Sequence, residues 1–297
     1  MGIQIEMKDN GQSERPSIKI LCFDITSFSQ TTQFLICCCV VFVFFLLYGY
    51  MQELIFTLDG FQPYGWYLTL VQFGYYTIFG LIEKYINNVT SRKIPISTYC
   101  LLALLTLGTM GLSNASLGYL NYPTQVIFKC CKLLPVLVGS ILIQGKRYGP
   151  LDFGAAICMC VGLTLFTLAD SQISPNFNTT GVFMISMALM CDAAIGNVQE
   201  KSMKQYNASN TEVVLYSYSI GFFYIFVTMF LTGDFYKGMQ FCAQYPKKTY
   251  GYALLFSLSG YLGIQVVLTL VKTCGAFAAA TQTIYHTVCI IHISRNT

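Results

Sequence analysis

Residues 94–128 read IPISTYCLLALLTLGTMGLSNASLGYLNYPTQVIF, a run of 35 residues without one charged side chain. About 20 apolar residues carry a helix across the hydrocarbon of a bilayer. The run is therefore too long for one span and long enough for two. Ser113, Asn114, Ala115 and Ser116, followed by the Tyr-Leu-Asn-Tyr-Pro stretch ending at Pro123, supply the small and polar residues and the proline at which a chain reverses. The expectation is a third span over 96–112 and a fourth over 123–143, joined by a tight turn.

Working outward, charge-poor windows at 34–51, 64–82, 151–168, 181–196, 213–231 and 250–271 predict the first, second, fifth, sixth, seventh and eighth spans, and a weaker apolar stretch begins at Gly275. The whole composition agrees: of 297 residues, 55% are hydrophobic and 10% charged, with mean hydropathy +0.57. Ordinary soluble domains carry about 25% charged residues, so a soluble protein is excluded and the fold class is an all-α polytopic membrane protein embedded in the lipid bilayer. Residues 1–33 form a polar tail with Lys8, Glu14, Arg15, Lys19 and Asp24, unlike a cleaved signal. Lys and Arg gather in that tail and in alternate loops, at Lys84, Arg92 and Lys93, at Lys146 and Arg147, and at Lys201 and Lys204. The cytosolic side is the basic side, which predicts a cytosolic N-terminus. Residues 232–249, with Lys237, Lys247 and Lys248, break the pattern. On this topology the sequon at Asn178 has room for a luminal glycan, whereas Asn114 lies in a tight turn near the bilayer.

The net charge of +4 is confined to loops, and no basic patch interleaved with aromatics suggests nucleic acid. Thirteen cysteines lie mostly in apolar runs, with no CxxC pair and no histidine cluster. They read as small hydrophobes, so neither a disulfide framework nor a metal or other cofactor is expected. Both histidines, His286 and His292, fall in the terminal stretch, which leaves no Ser/His or Cys/His pair inside the bundle. An enzyme is not expected.

Chemistry concentrates in YLNYPTQVIFKCCKLLPVLVG, residues 119–139, where Lys129 and Lys132 interrupt an apolar span. Each lysine costs on the order of 2.5–3.5 kcal/mol at the centre of a spanning helix. Three residues apart, they share a helical face, and Gln125 and Asn121, four and eight residues before Lys129, extend that face into a polar stripe able to hold an anion. Two other readings stay open: snorkelling to the surface, awkward because Lys129 is about two turns inside the span, and an internal ion pair. Asp192 sits about halfway along the sixth span and needs a partner or water; Glu200 and Lys201 follow near the end of that helix, where part of the polar set is solvated. In the seventh span, Tyr216, Tyr218 and Ser219 either stack on a base and bond a ribose, or form a packing face.

Together with TMGLSNASLGYL, IQGKRYG, TLADS, CDAAIGNVQEKSMK, VLYSYSIGF and KTYGYALLFSLSGY, this segment resembles the nucleotide-sugar transporter family, and within it the carriers of adenosine 3'-phospho 5'-phosphosulfate, over residues 40–280. The resemblance implies a drug/metabolite transporter-type inverted repeat of five plus five helices. The first repeat would fill 34–168, the second would begin over 169–280, and 281–297 would be a divergent tail, so that this chain is truncated to eight or nine spans. It implies a Golgi membrane protein that moves the sulfate donor from cytosol to lumen for sulfation, by antiport against an adenine nucleotide, with self-association left open. Lys129 and Lys132 would clamp the anionic groups, Asn121 and Gln125 would add hydrogen bonds, and Tyr216, Tyr218 and Ser219 would face adenine and ribose. Asp192, Glu200, Lys201 and Lys272 would take part in gating. A UDP-hexose carrier of the same fold and a non-transporting truncated isoform are the alternatives.

Overall fold

In hydrocarbon every backbone N–H and C=O must be satisfied within the chain, so each charge-poor run is driven into a helix. The computed structural model describes residues 19–20, 23–24, 30–58, 60–87, 92–121, 124–125, 128–129, 131–168, 178–244 and 246–274. Most of the N-terminal tail, Pro123, residues 169–177 and the stretch from Gly275, with both histidines, lie outside them. Among the described residues there are nine α-helices: α1 Gln30–Phe56, α2 Gly65–Ile86, α3 Ile96–Ser116, α4 Leu133–Gln144, α5 Pro150–Leu168, α6 Thr179–Tyr206, α7 Asn210–Thr232, α8 Asp234–Gln244 and α9 Pro246–Cys274. A two-residue strand pair, Lys19–Ile20 with Phe23–Asp24, precedes them.

The helix ends follow local sequence. Asn178 caps α6 by accepting from the N–H groups of Thr180 (3.0 Å) and Gly181 (3.4 Å), and the Ser209 hydroxyl caps α7 by accepting from Glu212 N–H. Gly145 and Gly233 close α4 and α7 in the left-handed region, at φ 67° and 78°.

Seven of the eight expected spans are single helices at the expected places, and three expectations are corrected. The fourth span is not one helix over 123–143: Cys131 and Lys132 form a turn and α4 starts at Leu133. The N–H groups of Cys131 and Lys132 bond three residues back, to the carbonyls of Phe128 and Lys129, a tightened turn that ends before the α-helical ladder restarts at Val136. Residues 232–249 are not a loop, because they contain α8 and the start of α9. Asn114 is not in a turn; it belongs to α3 and is 1% exposed.

Five helices are long and apolar enough to cross a membrane by themselves: α1, α3, α6, α7 and α9. The more polar α2 is flanked by α3, α7 and α9 inside the bundle, and its neighbours rather than lipid meet its Gln72 and Thr69. Large side chains such as Leu142, Leu151 and Leu231 stand 78%, 86% and 79% exposed, the surface of a multi-pass membrane protein turned to lipid. Amphipathic α8 lies against the start of α2. Tyr64 and Phe241 stack at 4.8 Å, and Gly238 fits against Tyr67.

The pairing of helices follows an internal symmetry. With α9 counted as the eighth span, α1 packs along α9 as α6 packs along α3, α3 contacts α7 as α9 contacts α2, and α2 lies on α7. Advancing each span by five exchanges these pairs, as an inverted repeat of five plus five helices requires.

Candidate functional site

The break in the fourth span meets α6. Lys132, the residue preceding α4, forms an ion pair with Asp192 of α6, Nζ to Oδ2 2.8 Å, with the side chains 18% and 25% exposed. Lys129 donates to Gln125 Oε1 at 2.9 Å, and Gln125 in turn donates to the Ser113 carbonyl at 2.6 Å, which ties the segment to the end of α3. Asn121 accepts from the Thr124 hydroxyl and N–H and so closes the turn that starts this segment. The site thus holds two cations and one carboxylate, a net charge of +1, at a discontinuity of a spanning helix. Transporters place ligand sites at such breaks, because the freed backbone lines a cavity rather than lipid.

The seventh-span candidates are spread along α7. Tyr218 is 6% exposed and wedged edge-on against Phe73 (5.0 Å) and Tyr76 (4.6 Å). Tyr216 instead meets Tyr99 at 5.2 Å and lies under the Lys84 ammonium at 5.7 Å, and Ser219 faces the Thr77 hydroxyl at 3.4 Å. All three candidates therefore sit in contacts with α2 or α3.

The other candidates close one end of the bundle. Glu200 is 0% exposed and not part of a solvated helix end. It accepts from Lys146 (2.7 Å), Lys204 (2.8 Å) and Gln144 (2.9 Å). Asn197, one turn earlier, accepts from Ser140 and Gln144 and donates to the Val136 carbonyl, so α4 and α6 are zipped by amides up to the Glu200 cluster. Lys201 is exposed and donates to the Ile143 carbonyl, and Lys272 donates to Asn207 Oδ1 at 3.0 Å.

Two carboxylates that sequence reasoning passed over complete this end. Glu212 Oε1 accepts from the N–H groups of Lys93 (2.6 Å) and Ile94 (3.1 Å) and from the Tyr99 hydroxyl (2.7 Å). Glu83 accepts from Thr211 at 2.7 Å, from Gln265 at 2.6 Å and from the Tyr261 hydroxyl. Their only sequence signal is a carboxylate at a helix end, which reads equally well as solvated. At the opposite end, Gln52 of α1 donates to Asn114 (2.7 Å), which donates to Thr69 (2.9 Å). No cluster of three or more His, Cys, Asp or Glu suited to a metal occurs among the described residues.

A bundle of apolar helices in an inverted repeat, with paired lysines at a broken span and polar closures toward its ends, defines a membrane transporter. A model of the UAA transporter family matches residues 33–294, and the chain belongs to that family. It is 70% identical over 271 residues to a protein of Aedes aegypti named adenosine 3'-phospho 5'-phosphosulfate transporter 2, covering 91% of this chain and 71% of that one. Proteins of the same name from Drosophila melanogaster and Homo sapiens are 62% and 58% identical, over 94% and 95% of this chain and 73% and 72% of theirs. The relatives are named as transporters, not enzymes.

Proposed function

We propose that this protein carries 3'-phosphoadenosine 5'-phosphosulfate across the Golgi membrane from cytosol to lumen, in exchange for an adenine nucleotide. The observation that carries the reading is the pair of lysines at the broken fourth span, one held by Gln125 and the other by Asp192. An ammonium at mid-depth is expensive, and a polyanion is the ligand that offsets the cost. The sulfate donor carries about four negative charges, from a phosphomonoester and a phosphosulfate anhydride. The names of the relatives support the same substrate. In this reading Lys129 and Lys132 bind the anionic groups with Asn121 and Gln125 beside them, Tyr218 lies toward the adenine, and Tyr216 and Ser219 line the passage further along α7. Opening and closing at the Glu200 and Lys272 end, with Lys201 alongside, gates access from the cytosol.

The test is uptake of labelled 3'-phosphoadenosine 5'-phosphosulfate into proteoliposomes. Uptake is expected to be competed by adenine nucleotides and not by UDP-hexoses, and to fall about 100-fold or more in Lys129→Ala and Lys132→Ala. Exchange of a UDP-hexose in its place would overturn the substrate. The orientation has a separate check. Asn178 is exposed at the start of α6, and a luminal glycan there would give an endoglycosidase-sensitive mobility shift that Asn178→Gln abolishes.

A further inference from the structure

The lysines of the site are not equivalent. Lys129 is held by a neutral amide, whereas Lys132 is bound to a carboxylate, Asp192, at 2.8 Å, on the facing helix α6. Both members of the ion pair retain access, at 18% and 25% exposure. A buried ion pair kept only for stability gains little over apolar packing of the same volume, and α6 on either side of Asp192 is built from Met190, Cys191, Ala193 and Ala194. The pair also ties the broken span to the other half of the inverted repeat, so a ligand that divides it acts where the two halves must move.

We infer that Asp192 is an internal stand-in for the substrate anion. It neutralises Lys132 while the site is empty and is displaced when an anionic group of the ligand takes its place. The inference rests on the proposed anionic substrate and deepens it. Asp192 competes with the ligand for one of the two cations, so it weakens binding. In return the site holds one uncompensated lysine rather than two between the release of one anion and the arrival of the next, and Asp192 lets a bound anion go faster. Asp192 is a positioning residue and acts through Lys132. Its carboxylate also repels ligands that cannot displace it, so the two lysines select for polyanions over singly charged ones.

The experiment measures ligand-induced shifts in the melting temperature of the purified full chain in detergent, with 3'-phosphoadenosine 5'-phosphosulfate and with pyrophosphate as a bare polyanion. Asp192→Asn is expected to bind both about tenfold more tightly than wild type, about 1.4 kcal/mol, while its uptake in proteoliposomes slows at saturating substrate. Asp192→Glu should retain wild-type affinity. Lys132→Gln/Asp192→Asn, which removes both charges and relieves the unpaired lysine, should fold like wild type and lose the gain in affinity. It therefore serves if the single variant is unstable, since its affinity should then fall below that of wild type for both ligands. Equal or weaker binding by Asp192→Asn, when wild type binds 3'-phosphoadenosine 5'-phosphosulfate, overturns the inference and leaves the substrate standing. Tighter pyrophosphate binding by Asp192→Asn, with no response of either form to 3'-phosphoadenosine 5'-phosphosulfate, supports the stand-in role and overturns the substrate.

Discussion

Asn114 and Glu200 illustrate what single polar residues do in an apolar bundle. Each is nearly or fully shielded, and each is worth its desolvation only because every partner is in place. Asn114→Leu would leave the Gln52 amide without its acceptor and the Thr69 hydroxyl without its donor. The expected loss is about 2–3 kcal/mol, read as an earlier thermal transition in detergent. Glu200→Gln removes the negative charge that pairs with two lysines, which are 35% and 48% exposed. Water partly relieves those lysines, so the expected cost is smaller, about 1–2 kcal/mol. Lys146→Gln alone should cost less still, because Lys204 remains on the carboxylate; a melting series of the three variants orders them. Lys129 and Lys132 were legible because a charge inside an apolar run has no cheap explanation. Glu83 and Glu212 were not, because a carboxylate at a helix end looks the same whether water or a neighbouring helix receives it.

At the scale of the helix, close approach is decided by residues without side chains. A Cβ on Gly139 of α4 would stand 2.7 Å from the Asn197 amide nitrogen, and one on Gly260 of α9 would stand 2.1 Å from the Tyr76 hydroxyl. Gly139→Ala is therefore expected to push α4 off α6, strain the Asn197 hub and cost about 1–3 kcal/mol. Faster backbone exchange in 133–144 would check it, and Gly154→Ala, where nothing lies within 4 Å, is the control. Amphipathic α8 permits a second test. Cys242, on the inner face of this helix, is buried, and burial pushes its thiol up to about 11. A raised value means that the thiol, not the reactive thiolate, prevails at neutral pH. Cys242 should resist a charged alkylating reagent at pH 7.5 and become labelled only as the pH approaches 11, as read by mass spectrometry. The bounds of α7 and α9 were readable from charge-poor windows to within about one turn, whereas α6 runs on to Tyr206, well past the expected end at 196, because its last turns are polar. The break before α4 was passed over although KCCKLLP carries its cause: Pro135 has no N–H to offer the Cys131 carbonyl and its ring crowds that oxygen, so the ladder is interrupted there.

For the whole molecule, the polar contacts of Glu83, Glu200, Glu212 and Lys272 join the ends of six helices, α2, α3, α4, α6, α7 and α9, at one face of the bundle. Glu212→Ala removes the acceptor for the N–H groups of Lys93 and Ile94 and for the Tyr99 hydroxyl, which fasten the start of α3 to α7. It is expected to raise amide exchange over 92–99 at least tenfold while leaving the Gln52–Asn114–Thr69 end unchanged. Equal change at both ends would mean general destabilisation rather than a loosened closure.

The amino-acid sequence by itself determined that this chain is a polytopic helical membrane protein, where most of its spans lie, and that two lysines interrupt an apolar span. Those conclusions need only the hydrophobicity of 20-residue windows and the cost of charge in hydrocarbon, which are properties of single segments. Only the tertiary structure decided that Lys132 is matched by Asp192 sixty residues later, that Glu83 is taken up by Thr211 and Gln265, and that Glu200 and Glu212 are buried. The partner of a polar group in a bundle is chosen by which helices meet, and that choice is a property of the packed chain, not of any window within it.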